Sequence, residues 1–236
     1  LDPERHSKRI MEIMQKDLRM DVLPRHIECF DNSNTQGTNP VAACVVFRNA
    51  KPSNRDYKHY NIKTVTGADD YASMQEVVYR RYSRLKAEDK PLPQLIVIDG
   101  GKGQLGVAQQ ALKALDLLGK IKIISIAERL EEIYFPDDPL PLYLDRRSET
   151  LKVLQQIRDE AHRFGITHHR NKRSKNTFKT QLTEIEGIGE VTSKNLLLKF
   201  KSVKKISQAS LEDLTKAVGE SKAKIVYDYF RNSVTP

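Results

Sequence analysis

"PQLIVIDGGKGQL", residues 93–105, sets the architecture of this chain. Leu95 to Ile98 run apolar without a polar alternate, the mark of a strand buried on both faces. The strand ends at Asp99, glycines follow, and a helix is expected over 104–118. A second apolar run, "IKIISIA" at 121–127, is another buried strand. Strands separated by a single helix are the building unit of layered α/β sheets.

Upstream, Tyr71, Met74, Val78, Tyr82 and Leu85 recur every three or four residues, which predicts an amphipathic helix over 69–87. Three strands are expected before it, at His26–Asp31, Val41–Arg48 and about 58–66. Ile10, Ile13, Met14 and Leu18 suit a leading helix over 4–20. Downstream, a hairpin is expected near 130–135 and 140–145, then a helix over 148–164. The order three strands, helix, strand, helix, strand, hairpin, helix implies a mixed sheet with helices on both faces, ending near residue 165. The stretch 165–180 is basic and lacks periodicity, so it reads as a mobile linker. Beyond it, "LTEIEGIGEVTSKNLLLKF" and "SLEDLTKAVGESKAKIVYDYF" share one plan, a helix, a glycine-bearing turn and a second helix. They predict two helical hairpins over 181–236.

The chain has 236 residues and a net charge of +9. Leu1 stands where a start methionine would, so a piece of a longer protein is expected. No apolar run reaches the ~20 residues that cross a bilayer, which excludes a helical membrane protein. Cys29 and Cys44 both fall in expected strands and read as small buried hydrophobes in a reducing cytoplasm. They offer no four-ligand zinc pattern. From Glu160 to Glu184 no acidic residue intervenes, while Arg163, Arg170, Lys172, Arg173, Lys175 and Lys179 crowd together. A one-signed block of this kind suits a polyanion, and without an apolar face it suits nucleic acid better than a membrane.

"PRHIECFDNSNTQG", residues 24–37, raises the question of chemistry. Its strand also ends in an aspartate, Asp31, and spills into Asn32, Ser33, Asn34 and Gly37. If the strands ending at Asp31 and Asp99 lie side by side, two carboxylates meet at one sheet edge. Holding both ionised requires a cation, and hard oxygen ligands favour magnesium or manganese. Each aspartate taken alone is better read as a turn former. "LIVID" resembles the magnesium-handling strand of nucleotide hydrolases, and "DEAH" at 159–162 a helicase box. No phosphate-binding G-x-x-x-x-G-K-[ST] loop accompanies them, so no nucleotide cofactor is expected. On the helix over 148–164, Leu151, Leu154, Ile157 and Ala161 form one apolar stripe, with His162 at its edge near Arg158 and Glu160 outward. His162 is either a ligand reaching the sheet edge or a surface histidine.

"ECFDNSNTQG", "GADDYASMQEVVYRRYSR", "LIVIDGGKGQL" and "RDEAHRFGITHHR" together resemble the C-terminal half of the bacterial excinuclease family UvrC. The resemblance covers nearly the whole chain in order. It implies a ribonuclease H-like endonuclease domain over 1–164, a basic linker over 165–180 and a tandem helix-hairpin-helix domain over 181–236. It further implies an incision 5′ to a DNA lesion, made with Mg2+ or Mn2+ held by Asp31, Asp99 and His162. The implied partners are lesion-bearing double-stranded DNA and the UvrB complex. Related sequences commonly read F-D-x-S-H where this chain has Asn34. An auxiliary acid at the start of the first internal helix is also implied, Asp70 in preference to Asp69, although either could simply cap the helix. A junction resolvase or transposase-like nuclease, and a non-catalytic DNA-binding scaffold, are the competing functions.

In the tail, Gly187 and Gly189 of "GIG" would let backbone N–H groups approach a phosphate. Lys194 could add a contact, and the second hairpin retains Gly219 with Lys222 and Lys224 nearby. Lys102, Arg170, Lys172, Arg173 and Lys175 complete the candidate DNA contacts.

Overall fold

The computed structural model describes residues 2–33, 40–65 and 67–232, with the backbone alone for Ser33 and for 169–180. Asn34 and Gly37 of the expected polar loop therefore lie outside the described residues. Two compact units divide the chain, Leu1–His168 and His169–Pro236.

The first unit is built on β1 (His26–Ser33), β2 (Val41–Arg48), β3 (Lys51–Pro52), β4 (Lys58–Asn61), β5 (Leu95–Asp99), β6 (Lys122–Ile126) and β7 (Ile133–Tyr134). Their order is β3-β2-β1-β5-β6-β7, with β4 also on β2. β1, β5 and β6 run parallel at the centre, and β2 and β7 flank them antiparallel. Strands β1, β2, β5 and β6 lie close to where the apolar runs place them. Only two residues of the expected downstream hairpin form a strand, Ile133–Tyr134, with a single further bridge from Ile133 to Leu142.

Helices cover both faces of the sheet. Side chains alternate along a strand, and here the alternation sorts two cores. Ile27, Cys29, Leu95, Val97, Ile124 and Ile126 pack with Met14 and Leu18 beside α1 (Pro3–Asp17) and with Leu151, Leu154, Ile157 and Ala161 of α4 (Glu149–Thr183). Phe30, Ile96, Ile98 and Ile123 pack the other way, on α2 (Asp70–Ala87) and α3 (Lys102–Ala114). Both cysteines are free and buried, as expected. No helix among the described residues is long and apolar enough to cross a membrane.

The stretch 165–180 corrects the sequence expectation. Its backbone is helical, inside the 35-residue α4, and not an aperiodic linker. The helix needs no apolar stripe to continue here. Lysine, arginine and glutamine are good helix formers, and after Gly165 neither proline nor glycine interrupts the run before Gly187.

The second unit holds α5 (Glu190–Phe200), α6 (Val203–Gln208), α7 (Leu211–Val218) and α8 (Glu220–Asn232). Leu182, Ile185, Ile188, Leu196, Val203, Ile206, Leu214, Ala223 and Val226 form its core. Serine side chains begin α6 and α7: Ser202 accepts from the Lys205 N–H and Ser210 from the Asp213 N–H.

Candidate active site

Strand parity brings the predicted acids together. Asp31 continues the Ile27–Cys29 side of β1, and Asp99 continues the Leu95–Val97 side of β5. In the parallel register Phe30 pairs with Ile98, so the two aspartates occupy the next rung and face the same way, toward α4. That helix supplies His162, whose Nδ1 lies 3.3 Å from Asp31 Oδ2. The imidazole is largely exposed, whereas Asp31 is buried. Asp31 and Asp99 are close enough that each carboxyl acts on the titration of the other.

Two carboxyls at one sheet edge cannot both ionise freely. Burial, and then the Asp31 charge, push Asp99 up to about 7. Asp31 is raised as well, by burial, against the pull of His162 and of the hydrogen bond from Asp99. Both carboxyls are therefore pushed toward the protonated form, and the pair titrates as a unit. Among the described residues, no three His, Cys, Asp or Glu side chains are already gathered at cage spacing. The donor chemistry nonetheless fits a divalent cation, because two carboxylates on adjacent strands are hard oxygen ligands whose mutual repulsion such an ion would offset.

The turn behind Asp99 is shaped by glycine. Gly100 has φ +152°, and a Cβ there would come within 2.6 Å of the Gln104 side chain. Asp99 can therefore end its strand while α3 starts at once. Lys102 opens that helix and sets its ammonium 5.3 Å from the centre of the Tyr134 ring. At the start of α2 the two acids divide: Asp69 is the cap, accepting from the Ala72 N–H at 3.0 Å, and Asp70 is the first helical residue. Asn32 ties that turn to the site, donating to the Asp70 carbonyl at 2.8 Å.

A cleft of about 360 Å³ opens beside the pair, lined by Asp99, Glu128, Arg158, Asp159, His162, Arg163 and Ile166. Glu128 was missed in the sequence, although it follows β6 in step with Ile124 and Ile126 and its charge reaches Asp31. Glu160 does not point outward as expected: it accepts from the Tyr57 hydroxyl at 3.0 Å and from Arg163. Four buried side-chain atoms lack a hydrogen-bond partner among the described residues: Asn32 Oδ1, Gln104 Oε1, Ser125 Oγ and Arg158 Nη1. Asn32 follows Asp31, Gln104 packs on the Asp99 turn and Arg158 lines the cleft. Unsatisfied polar atoms of this kind concentrate where a ligand or ion completes the bonding.

On the opposite face of β1, and unforeseen, lies a buried ionic cluster. Glu28 is fully buried and accepts from Arg81 Nε and Nη2 at 2.6 Å each, from His26 Nε2 at 2.8 Å and from the Tyr82 hydroxyl at 2.8 Å. Burial works to raise the Glu28 carboxyl, but Arg81 and His26 outweigh it and hold the group down at about 2.

In the second unit, Gly187 has φ +89°, and a Cβ would stand 3.1 Å from Ile225 Cδ1. Gly189 caps α5 in ordinary extended geometry, with open space where a Cβ would be. Lys194 is exposed on α5. Lys222 Nζ donates to Thr192 Oγ1 at 3.0 Å, so that amine already has one internal partner. Gly219, at φ +84°, separates α7 from α8. The side chains of Arg170, Lys172, Arg173 and Lys175 lie outside the described residues.

The family described as UvrC RNAse H endonuclease domain matches residues 15–166, and the helix-hairpin-helix motif matches 182–235. The first match falls on the sheet unit and the second on the helical one. The UvrABC system protein C of Flavobacterium johnsoniae is 60% identical over 233 residues, which are 99% of this chain and 39% of that protein. Its counterpart in Bacteroides fragilis is 51% identical over 236 residues, 98% of this chain and 38% of that one. The chain thus spans 38–39% of the length of these curated relatives. Among solved structures, Endonuclease V from Streptomyces avermitilis aligns with a TM-score of 0.42 at 12% identity, over 72% of this chain and 94% of that one.

Proposed function

The chain belongs to the UvrC RNase H endonuclease family, and we propose from that premise that it is the metal-dependent incision module of nucleotide excision repair. In this reading it hydrolyses one phosphodiester 5′ to a lesion in double-stranded DNA. It does so as part of a longer protein that acts with the UvrB complex in the cytoplasm. The observation that carries the reading is the placement of Asp31 and Asp99 on the same face of adjacent parallel strands, with His162 3.3 Å from Asp31.

Asp31, Asp99 and His162 would hold Mg2+ or Mn2+, and Asp70 would assist from the first turn of α2. When bound, such an ion supplies charge neutralisation at the phosphate and a more acidic water. The protein's own contribution is positional. Two strands of one sheet hold the carboxylates at fixed spacing, and α4 holds the imidazole over them. Both carboxyls would have to be ionised to hold the ion, so binding should strengthen as pH rises. Incision is assigned to residues 1–164 and DNA holding to 181–236, with the basic stretch 165–180, Lys102, Lys194 and Lys222 adding backbone phosphate contacts. Such contacts carry no base information and weaken with salt by counterion release.

The reading is tested by offering the chain, with Mn2+ and UvrB, a duplex bearing one bulky adduct and a four-way junction of equal length. A cut on the adduct strand, 5′ to the adduct, is expected. Preferential cutting of the junction would instead assign a resolvase.

The two glycines of the first hairpin should separate structure from binding. Gly187→Ala forces a side chain into positive φ against Ile225 and should cost roughly 1 kcal/mol or more of stability. Gly189→Val should cost less than that, since the position is extended and open and only the N-cap preference for glycine over valine is lost. Its branched side chain would stand before the α5 N-terminus and should lower DNA affinity about 10-fold at low salt, measured by fluorescence anisotropy. Equal DNA affinity for Gly189→Val and the parent would remove this turn from the interface.

A further inference from the structure

Arg158 is one helical turn before His162, so the two share a face of α4 at the cleft. Its side chain is 14% exposed, and Nη1 is buried without a hydrogen-bond partner among the described residues. Its ion pair with Asp159 is long, 3.5 Å from Nε to Oδ1, and that carboxylate is 74% exposed. A guanidinium stays charged at any ordinary pH and carries five donors, so burying one with a donor unmet is strongly unfavourable. Arg163, the other arginine lining the cleft, already donates Nε and Nη2 to Glu160 at 2.8 and 2.9 Å. Asp99, Glu128 and Asp159 line the same cleft and would repel a phosphodiester. A strand entering there needs a fixed cation that is not already committed.

A purely structural Arg158 would serve as countercharge to Asp99, whose carboxyl its charge does help to keep ionised. That role leaves Nη1 without an acceptor, so the guanidinium is not fully held in its buried position. We propose that Arg158 is a substrate-binding residue: held only by the long Asp159 pair and short of an acceptor, its guanidinium turns into the cleft it lines and donates to a nonbridging oxygen of the scissile phosphate of the DNA strand. The assignment rests on the incision reading above, and it adds a phosphate contact supplied by the nuclease unit itself.

The test is single-turnover incision by the full chain of an adduct duplex carrying a stereopure phosphorothioate at the scissile phosphate, in Mn2+. The variants are Arg158→Gln and Arg158→Lys, with Mn2+ affinity measured in parallel by electron paramagnetic resonance. Arg158→Gln should slow cutting of unmodified DNA roughly 10- to 100-fold, the range of a charge-assisted hydrogen bond. One sulfur diastereomer should be cut several-fold slower by the parent, and that penalty should vanish in Arg158→Gln. Arg158→Lys keeps the charge without the fork and should recover part of the rate. A sulfur penalty that stays the same in parent and Arg158→Gln overturns the assignment while leaving the incision reading intact. A changed Mn2+ affinity that accounts for the rate loss also overturns it, in favour of the countercharge role. No incision by the parent on any DNA, with UvrB supplied, would overturn both.

Discussion

Asp99→Asn should abolish incision and at the same time make the metal-free protein more stable at pH 8. The first effect should be roughly 10³-fold or more, because the several kcal/mol that a bound metal contributes to phosphodiester cleavage would be lost. DNA affinity should change little, since the phosphate-holding groups are elsewhere. The second effect follows from the sign of the shift. Asp99 titrates at about 7 when folded, well above the ordinary carboxyl value of 3.8. Its folded form binds the proton more tightly than its unfolded form, so metal-free stability is greatest in acid and is lost as pH rises through about 7. Removing the charge removes that loss, by about 1–3 kcal/mol after allowance for the coupling to Asp31. Urea unfolding at pH 5 and pH 8, with and without Mn2+, measures the stability, and a cleavage assay measures the incision. A variant that cuts normally, or one whose stability falls at pH 8, would sink the shared-site assignment.

Arg81→Met should be the most destabilising single change in the first unit. It leaves the Glu28 carboxylate, 0% exposed, without its bidentate partner. Breaking a buried pair in this way costs about 3–5 kcal/mol, whereas replacing both charges with apolar groups of similar volume is far milder. Glu28→Leu combined with Arg81→Met should therefore recover most of the loss, and an additive double mutant would refute the pairing. The cluster also sets the response to acid. Glu28 is held at about 2, below its ordinary 4.5, so its stabilisation is complete above about 4.5 and disappears as pH falls through 2. The consequence for the site is positional. Glu28 and Asp31 share β1 on opposite faces, and Arg81 and Asp70 share α2, so the cluster fixes the strand and helix that carry the acids.

Much of this protein was legible in its sequence wherever one residue's periodicity decided its surroundings. Leu95 to Ile98, Val41 to Phe47 and the α2 stripe each have an apolar pattern that only one secondary structure can bury. Strand parity was equally readable, and it alone sends Asp31 and Asp99 to one face once β1 and β5 are neighbours. That adjacency, and the arrival of His162 over the pair from 131 residues away, belong to the tertiary structure. So do the division of Asp69 and Asp70 into cap and first helical residue, and the partners of Glu28, which no local pattern announces because a buried charge is tolerable only if distant residues meet it. That the basic stretch 165–180 is helical was not legible for a related reason. Missing amphipathicity says that a segment has no face to bury, but helix propensity and the absence of a breaker suffice to carry α4 through it. The orphaned Nη1 of Arg158 is the clearest case: an arginine beside a histidine on one helix is ordinary in sequence, and only packing leaves it buried, charged and short of an acceptor.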